Sequence, residues 1–157
     1  MMFALHSMAS CLLLSYKKVM RVDRTVVLID DDKDDLEMLQ QALAEIDIDH
    51  RIIEARDGVQ GLKVLNELLS RKQLPCLIVL DINMPRMDGR ETFVKIKSEE
   101  RLSAIPIVIF STSSSQLDKT FFERYNTPYL VKPIRFRELK NTAERLIKLC
   151  YHRSSNS

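Results

Sequence analysis

Acidic side chains follow two apolar stretches of the chain, where a carboxylate would be available for chemistry. Asp81 comes directly after the stretch 77–80, and Asp30 and Asp31 come directly after the stretch 26–29. Short apolar runs rich in branched residues predict strands that are buried on both faces, as in the middle of a parallel sheet. Because open α/β sheets bind ligands at the carboxyl ends of their strands, these acids are predicted to face a ligand crevice.

Two later apolar stretches end in polar groups of a different type. The stretch 107–110 is followed by Ser111, and the stretch 129–131 is followed by Lys132. The carboxyl ends of parallel strands lie at one edge of the sheet, so carboxylates, a hydroxyl and an ammonium are predicted to converge there. Each group alone has an ordinary explanation, such as an Asx turn at Asp81. The convergence of four strand ends favours a functional site.

Helical patterns separate the strands and must hold them in position. Apolar residues spaced three or four apart predict five amphipathic helices. Strands that alternate with helices predict an α/β fold, a single doubly wound parallel sheet covered on both faces. The second strand has charged ends, which indicates an edge of the sheet. The predicted strands cover residues 25–29, 51–55, 77–80, 107–110 and 129–131, and the predicted helices cover 33–45, 59–69, 91–98, 116–124 and 135–149.

The order and spacing of these residues resemble the receiver domain of two-component response regulators, close to the single-domain chemotaxis type. The resemblance extends over residues 25–149 and implies a five-stranded sheet with the flavodoxin-like order 2-1-3-4-5. Five motifs in register are far more specific than any one of them. The residues that carry the resemblance are the acid pair Asp30 and Asp31, the acceptor motif with Asp81, Asn83, Pro85, Asp88 and Gly89, the hydroxyl of Ser111, and the pair Lys132 and Pro133.

Carboxylates that converge at one edge repel each other, so at neutral pH they must be protonated or neutralised. A hard divalent cation with oxygen ligands does this, and the resemblance implies Mg²⁺. It implies Asp31 and Asp81 as direct ligands, the backbone carbonyl of Asn83 as a third, and Asp30 as a ligand through water. The remaining acids of the first run are interpreted as a solvated helix start: Asp32, Asp34 and Asp35.

The resemblance further implies that Asp81 is a phosphoryl acceptor. A histidine kinase or a phosphotransfer protein would donate the group from a phosphohistidine, giving an acyl phosphate on Asp81. Lys132 would contact one phosphoryl oxygen and Ser111 would donate a hydrogen bond to another. A cis bond between Lys132 and Pro133 is expected to aim the ammonium inward. Self-dephosphorylation is the only turnover expected, so the chain is not predicted to be an enzyme.

A switch is predicted at Ser111 and Tyr129. The hydroxyl of Ser111 would be drawn towards the phosphoryl group, and the ring of Tyr129 would fill the space it leaves; ordinary strand packing explains Tyr129 equally well. The output face would comprise the fourth helix, fifth strand and fifth helix, and would contact an unidentified downstream protein or form a homodimer. The turn before the fifth strand departs from the glycine-containing turn common in the family; its residues are Asn126, Thr127 and Pro128.

Three alternatives compete with this interpretation. A receiver-like scaffold that works without phosphorylation is disfavoured because the acids, hydroxyl and lysine are all present. An aspartate-nucleophile phosphatase would need a second acid two residues after the nucleophile to protonate the leaving group, and Asn83 stands there. A nucleotide-binding flavodoxin-like protein is disfavoured because no Gly-rich phosphate loop follows the first strand.

The composition excludes several other classes. With 157 residues, 45% apolar and 29% charged, the chain is an ordinary globular domain. A net charge of +2 provides no basic field for nucleic acid. Three widely spaced cysteines, Cys11, Cys76 and Cys150, predict free thiols in a reducing, cytoplasmic setting and neither a disulfide framework nor a zinc site. The three histidines are isolated in sequence, which disfavours a histidine-based metal site: His6, His50 and His152.

The chain ends are assigned to tails. Residues 1–24 are predicted to form a disordered or loosely packed tail, with Met20 as an alternative start, followed by a domain over 25–150 and a polar tail over 151–157. No segment has the apolar length needed to cross a bilayer, so no membrane association is expected. The apolar patch at 12–14 precedes Lys17 and Lys18, the reverse of the order in a signal peptide, so export is not expected.

Overall fold

A computed structural model describes residues 21–47 and 49–154. Residues 1–20, including the alternative start at Met20, lie outside the described part, as do residues 48 and 155–157. The first strand begins at Arg21, inside the tail predicted for residues 1–24. The last helix extends to Ser154, into the predicted tail 151–157. None of the helices in this described part is long and apolar enough to span a membrane.

Strands and helices alternate along the chain, as the hydrophobic patterns predict. The elements in order are β1 (Arg21–Ile29), α1 (Lys33–Ile46), β2 (Arg51–Ala55), α2 (Gly58–Ser70), β3 (Gln73–Leu80), α3 (Gly89–Ser98), α4 (Glu100–Ser103), β4 (Ile107–Ser111), α5 (Gln116–Glu123), β5 (Tyr129–Val131) and α6 (Phe136–Ser154).

The five strands form one parallel sheet in the order β2-β1-β3-β4-β5, which confirms the predicted order. The edge position predicted for β2 is also confirmed. Ile29 of β1 pairs with Leu80 of β3, and Ser111 of β4 pairs with Val131 of β5. This register places the carboxyl ends of the strands at the same edge of the sheet, and the predicted site residues end these strands or follow them directly.

Two apolar layers cover the sheet. On one face, β1, β3 and β4 pack against α1 and α6, with Leu77 and Val79 of β3 in this layer. On the other face, Ile78 and Leu80 pack with α2, α3 and α5. Successive side chains of a strand point to opposite faces, so a strand buried on both sides needs an unbroken apolar run. Burying a leucine or isoleucine fully contributes about 1.5–3 kcal/mol, which fixes the register against a one-residue slip.

The strand β3 and the short helix α4 differ from the sequence prediction. The strand β3 begins before the apolar run at residue 77 and includes Pro75, which the sequence assigned to the connection. Its first residues pair with the extended start of β1, and Pro75 lies opposite Asp23 beside a register shift, where proline is tolerated. The short helix α4 was not predicted, because it has too few residues to show a helical period.

The expectation of free thiols is wrong for two of the cysteines. Cys76 in β3 and Cys150 in α6 form a disulfide, with their Cα atoms 4.8 Å apart. α6 packs along the sheet face that carries Cys76, which brings together residues 74 positions apart. No spacing in the sequence indicates this pair, because only the packing of α6 on β3 makes the two residues neighbours.

Candidate functional site

Three carboxylates meet at the carboxyl edge of the sheet. Asp30 and Asp81 follow the paired residues Ile29 and Leu80, so the register sets them side by side. One oxygen of each of Asp30, Asp31 and Asp81 lies within 4.8 Å of the others. Asp30 and Asp81 are buried, with 7% and 6% of their surface exposed. The predicted convergence of these acids is therefore present in the structure.

Lys132 lies among the carboxylates. Its Nζ is 2.6 Å from Oδ2 of Asp30, 2.7 Å from Oδ2 of Asp35 and 3.9 Å from Oδ1 of Asp81. The interpretation of Asp35 as a solvated residue is wrong, because the first turn of α1 directs this carboxylate to the ammonium. The other two acids of that turn fit the interpretation better: Asp34 is exposed, and Asp32 is the exposed N-cap of α1.

The expected cis bond before Pro133 is also wrong, since no peptide bond in the described residues is cis. The backbone N–H of Lys132 instead donates to the carbonyl of Ser111 at 2.9 Å. This bond continues the β4–β5 ladder by one residue, and strand pairing thereby carries Lys132 to the edge where its ammonium meets the acids.

Burial and charge pull the pKa values of these groups in opposite directions. Burial raises the pKa of Asp30 from 3.8 to about 6, against the lowering effect of Lys132. Burial likewise raises the pKa of Asp81, and the Lys132 ammonium only partly offsets it. Burial alone would lower the pKa of Lys132, but its hydrogen bonds to Asp30 and Asp35 outweigh this and raise it. The carboxylates at this edge thus hold negative charge that the ammonium of Lys132 does not balance.

The donor set fits a hard divalent cation. Among the described residues, Oδ1 of Asp81 is buried without a hydrogen-bond partner, so one acceptor oxygen is free for a ligand. Asp31, Asp81, Asn83 and Lys132 line one solvent-open depression of about 460 Å³. Carboxylate and carbonyl oxygens in an open site with room for waters are what Mg²⁺ prefers.

The two predicted switch residues lie on neighbouring strands. Ser111, fully buried at the end of β4, interacts with Asp81 through its hydroxyl, which lowers the pKa of that carboxyl. Tyr129 at the start of β5 donates its phenol hydroxyl to the carbonyl of Ser113 at 2.8 Å. Its ring packs beside Phe122, with centroids 6.1 Å apart. Tyr129 is therefore tied to the loop that follows Ser111.

Two polar contacts that the sequence did not reveal support the loops around the site. Asp118 of α5, largely buried, accepts from Nε of Arg90 at 2.9 Å and from the hydroxyl of Ser113 at 2.9 Å. This joins α3, α5 and the β4–α5 loop. Arg86 in the β3–α3 loop forms an ion pair with the buried carboxylate of Asp57, which caps α2. Neither arginine occupies a recognisable sequence pattern.

Gly89 is required by a close backbone approach. A Cβ atom at this position would lie 2.2 Å from the carbonyl oxygen of Asp81, and the Gly89 N–H donates to the carbonyl of Ile82 at 2.8 Å. The loop after Asp81 therefore folds back onto the strand end, and Asp88 caps α3 by accepting from the N–H of Glu91 at 2.8 Å.

The fold and the site define a class. The chain has the arrangement of a receiver domain: a five-stranded parallel sheet with polar groups at the carboxyl ends of four strands. These groups are two acids after β1, one acid after β3, a hydroxyl at the end of β4 and a lysine after β5. Residues 26–144 match the family model described as response regulator receiver domain, and the chain belongs to this family. Receiver domains accept phosphoryl groups from histidine kinases and signal to downstream partners.

Individual proteins of this family are similar to most of the chain. The response regulator Rcp1 of Synechocystis is 33% identical over 119 residues, which cover 74% of this chain and 81% of that protein. The probable methanogenesis regulatory protein FilR2 of Methanothrix harundinacea is 32% identical over 123 residues, covering 77% and 79%.

Solved structures of related regulators superpose on the chain. The phosphorylated cyanobacterial phytochrome response regulator RcpA matches with a TM-score of 0.72 and 30% identity, covering 80% of this chain and 94% of that one. The Mn²⁺-bound form of Rcp1 matches with a TM-score of 0.69 and 31% identity, covering 77% and 89%.

Proposed function

We propose that the chain is a stand-alone response regulator receiver that accepts a phosphoryl group on Asp81 in a Mg²⁺-dependent reaction. The donor is a phosphohistidine of a histidine kinase or a phosphotransfer protein. The observation that carries the proposal is the position of Asp81, a buried carboxylate grouped with two acids. Its Oδ1 has no hydrogen-bond partner in the described part of the chain and lies 3.9 Å from the Lys132 ammonium. The phosphorylated and the Mn²⁺-bound relatives support it by similarity.

The metal would be held by groups already at the sheet edge. Asp31 and Asp81 would be the direct ligands, the carbonyl of Asn83 would be the third, and Asp30 would act through water. When bound, Mg²⁺ neutralises the carboxylates and polarises the phosphoryl oxygens. The manganese in the Rcp1 structure supports a divalent metal in this class of site.

Asp81 is the nucleophile. Its carboxylate oxygen attacks phosphorus in line with the P–N bond of the donor; the new O–P bond forms an acyl phosphate and the imidazole leaves. Lys132 moves from its ion pairs with Asp30 and Asp35 to a phosphoryl oxygen. Asn83, two residues after the nucleophile, cannot protonate a leaving group, so Asp81 acts as an acceptor rather than as the centre of a turnover enzyme.

Output follows from the hydroxyl of Ser111, which turns to the phosphoryl group and donates to it. Tyr129 is bonded to the loop beyond Ser111, so a shift of that loop reaches the face of α5, β5 and α6. Leu117, Val131 and Ile134 are exposed on this face, which we assign to a downstream protein or a second copy of the chain. The chain works in the cytoplasm, where such donors are found.

Acetyl phosphate tests the acceptor. With Mg²⁺ we expect a mass gain of one phosphoryl group on the peptide that contains Asp81, and none in EDTA or in Asp81→Asn. Asp49→Asn, an exposed acid outside the site, is the matched control and retains the gain. A phosphorylation-independent scaffold predicts no gain in any variant, while steady hydrolysis of a generic phosphomonoester would favour a phosphatase instead.

A further inference from the structure

A second cluster of metal-binding side chains lies away from the carboxylates. His50, Cys76 and Cys150 each place one ligand atom within 4.8 Å of the others. His50 immediately precedes β2, and Cys76 precedes Asp81 by five positions in β3, a separation of about 16 Å along an extended strand. The cluster therefore lies towards the amino ends of the strands and is distinct from the phosphoryl-acceptor site.

His50 is the member of this cluster that needs an explanation. Only 1% of its side chain is exposed, and Nε2 has no hydrogen-bond partner within the described part of the chain. Nδ1 lies 3.1 Å from Oδ2 of Asp47, which is its polar neighbour. A buried polar group without a hydrogen-bond partner is unfavourable, and in native proteins it is explained by strain, by a redox or catalytic role, or by a bound water or ion.

The surroundings prepare this imidazole for a metal. The Asp47 carboxylate beside Nδ1 favours the proton on that nitrogen and leaves the other lone pair available, as carboxylates do behind metal-binding histidines. Tyr151 packs edge-on against the ring at 5.6 Å and holds its hydroxyl on Asp47, so both groups are fixed in place.

We propose that His50, Cys76 and Cys150 bind one Zn²⁺ when the disulfide is reduced. Two thiolates and an imidazole are the soft and borderline ligands that zinc selects, and three protein ligands leave a fourth position for water. The ion would tie together β3, α6 and the α1–β2 connection, the three elements that supply the ligands. These three residues are far apart in sequence, so the sequence disfavoured a metal site that includes them. The fold brings them together.

The redox state gates this site. A dithiol reductant supplies two electrons and becomes its own disulfide, while the S–S bond between Cys76 and Cys150 breaks and each sulfur gains a proton. Zinc binding then displaces both thiol protons to solvent. In the disulfide neither sulfur is a thiolate, so the oxidised protein is not expected to bind the ion.

Cobalt is the probe that separates this site from the carboxylates. The full chain is reduced, saturated with Mg²⁺ and titrated with Co²⁺. We expect a thiolate-to-cobalt charge-transfer band and tetrahedral d–d bands that saturate at a single Co²⁺ per chain and are bleached by Zn²⁺. Oxygen ligands do not give the charge-transfer band. The oxidised protein should give no band, and Cys11→Ser, which keeps all three proposed ligands, should match the wild type.

The variants decide between a built site and loose thiol binding. His50→Gln should weaken Co²⁺ binding at least about tenfold, and Asp47→Asn should weaken it less. At one Co²⁺ per chain, Cys150→Ser should abolish the charge-transfer band. If that variant does not fold, the Co²⁺ affinity of His50→Gln still tests the proposal. The proposal is overturned if reduced wild-type protein gives no band, or if His50→Gln binds Co²⁺ as tightly as the wild type does. Neither outcome bears on phosphorylation of Asp81.

Discussion

Asp35 is predicted to restrain Lys132 in the unphosphorylated protein. The ammonium is 2.6 Å from Asp30 and 2.7 Å from Asp35 but 3.9 Å from Asp81. To contact a phosphoryl group on Asp81 it must weaken at least one of the two shorter contacts. Asp35→Asn keeps the shape of the side chain and removes its charge, so the activated arrangement of Lys132 should become easier to reach.

The size of the effect follows from the contact that is lost. A hydrogen bond between charged partners contributes about 1.5–3 kcal/mol when well shielded from water. The Asp35 side chain is 26% exposed, and solvent screening reduces this to about 1–2 kcal/mol. The expected gain in affinity for a phosphoryl mimic is therefore about 5- to 30-fold.

Beryllofluoride binding at saturating Mg²⁺, followed by ¹⁹F NMR, measures this gain. Asp34→Asn is the matched control, because it removes the same charge from an adjacent, exposed position on α1. The Mg²⁺ affinity should fall slightly in both variants, since each loses one negative charge near the site. Equal beryllofluoride affinity in Asp35→Asn and Asp34→Asn would refute the restraint. Weaker binding in Asp35→Asn would show that Asp35 positions Lys132 for the phosphoryl group.

Three other predictions concern the same loops and strand ends. In EDTA at pH 7.5, Asp30→Asn should be more stable to urea than the wild type by at most about 3 kcal/mol. The reason is that the pKa of Asp30 is about 6 in the folded state and 3.8 in the unfolded state, so ionising this carboxyl destabilises the fold. The difference in stability should develop as the pH rises from 3.8 to 6 and should vanish below pH 3.8. Gly89→Ala should lower the free energy of unfolding by about 1–3 kcal/mol and abolish acetyl phosphate labelling, because the added methyl overlaps the Asp81 carbonyl. Arg86→Ala should destabilise the fold to urea by about 1–3 kcal/mol because it leaves the Asp57 carboxylate buried without its cation, whereas Arg86→Lys should lose less.

The sheet and the convergence of its polar ends were predictable because the apolar pattern of each central strand and its burial in the sheet indicate the same structure. A central parallel strand must be apolar on both faces, so Leu77 and Ile78 identify β3 without knowledge of its neighbours. The polar residue that ends each run then lies at the carboxyl edge in any right-handed βαβ arrangement. Residues 30, 81 and 132 follow from this rule, and the structure brings their side chains together.

The contacts that were not predicted depend on side-chain directions, which the hydrophobic periodicity of the sequence does not indicate. Asp35 and Lys132 are far apart in sequence, and an acid in the first turn of a helix already has a sufficient explanation in the helix dipole. Cys76 and Cys150 meet only because α6 crosses β3 on one particular face. The backbone bond from the N–H of Lys132 to the carbonyl of Ser111 extends the β4–β5 ladder to the site edge, which the hydrophobic pattern of the strands does not indicate.

The charge balance of the site predicts linked binding of the metal and the phosphoryl group. Four carboxylates, those of Asp30, Asp31, Asp35 and Asp81, surround the single ammonium of Lys132. With the pKa of Asp81 raised by burial, a further anion at this carboxylate is strongly disfavoured without added positive charge. A divalent cation supplies that charge and leaves Lys132 free to move from the acids to the incoming oxygens. Mg²⁺ and beryllofluoride must therefore each raise the affinity for the other by the same factor, since coupling between two bound ligands is reciprocal.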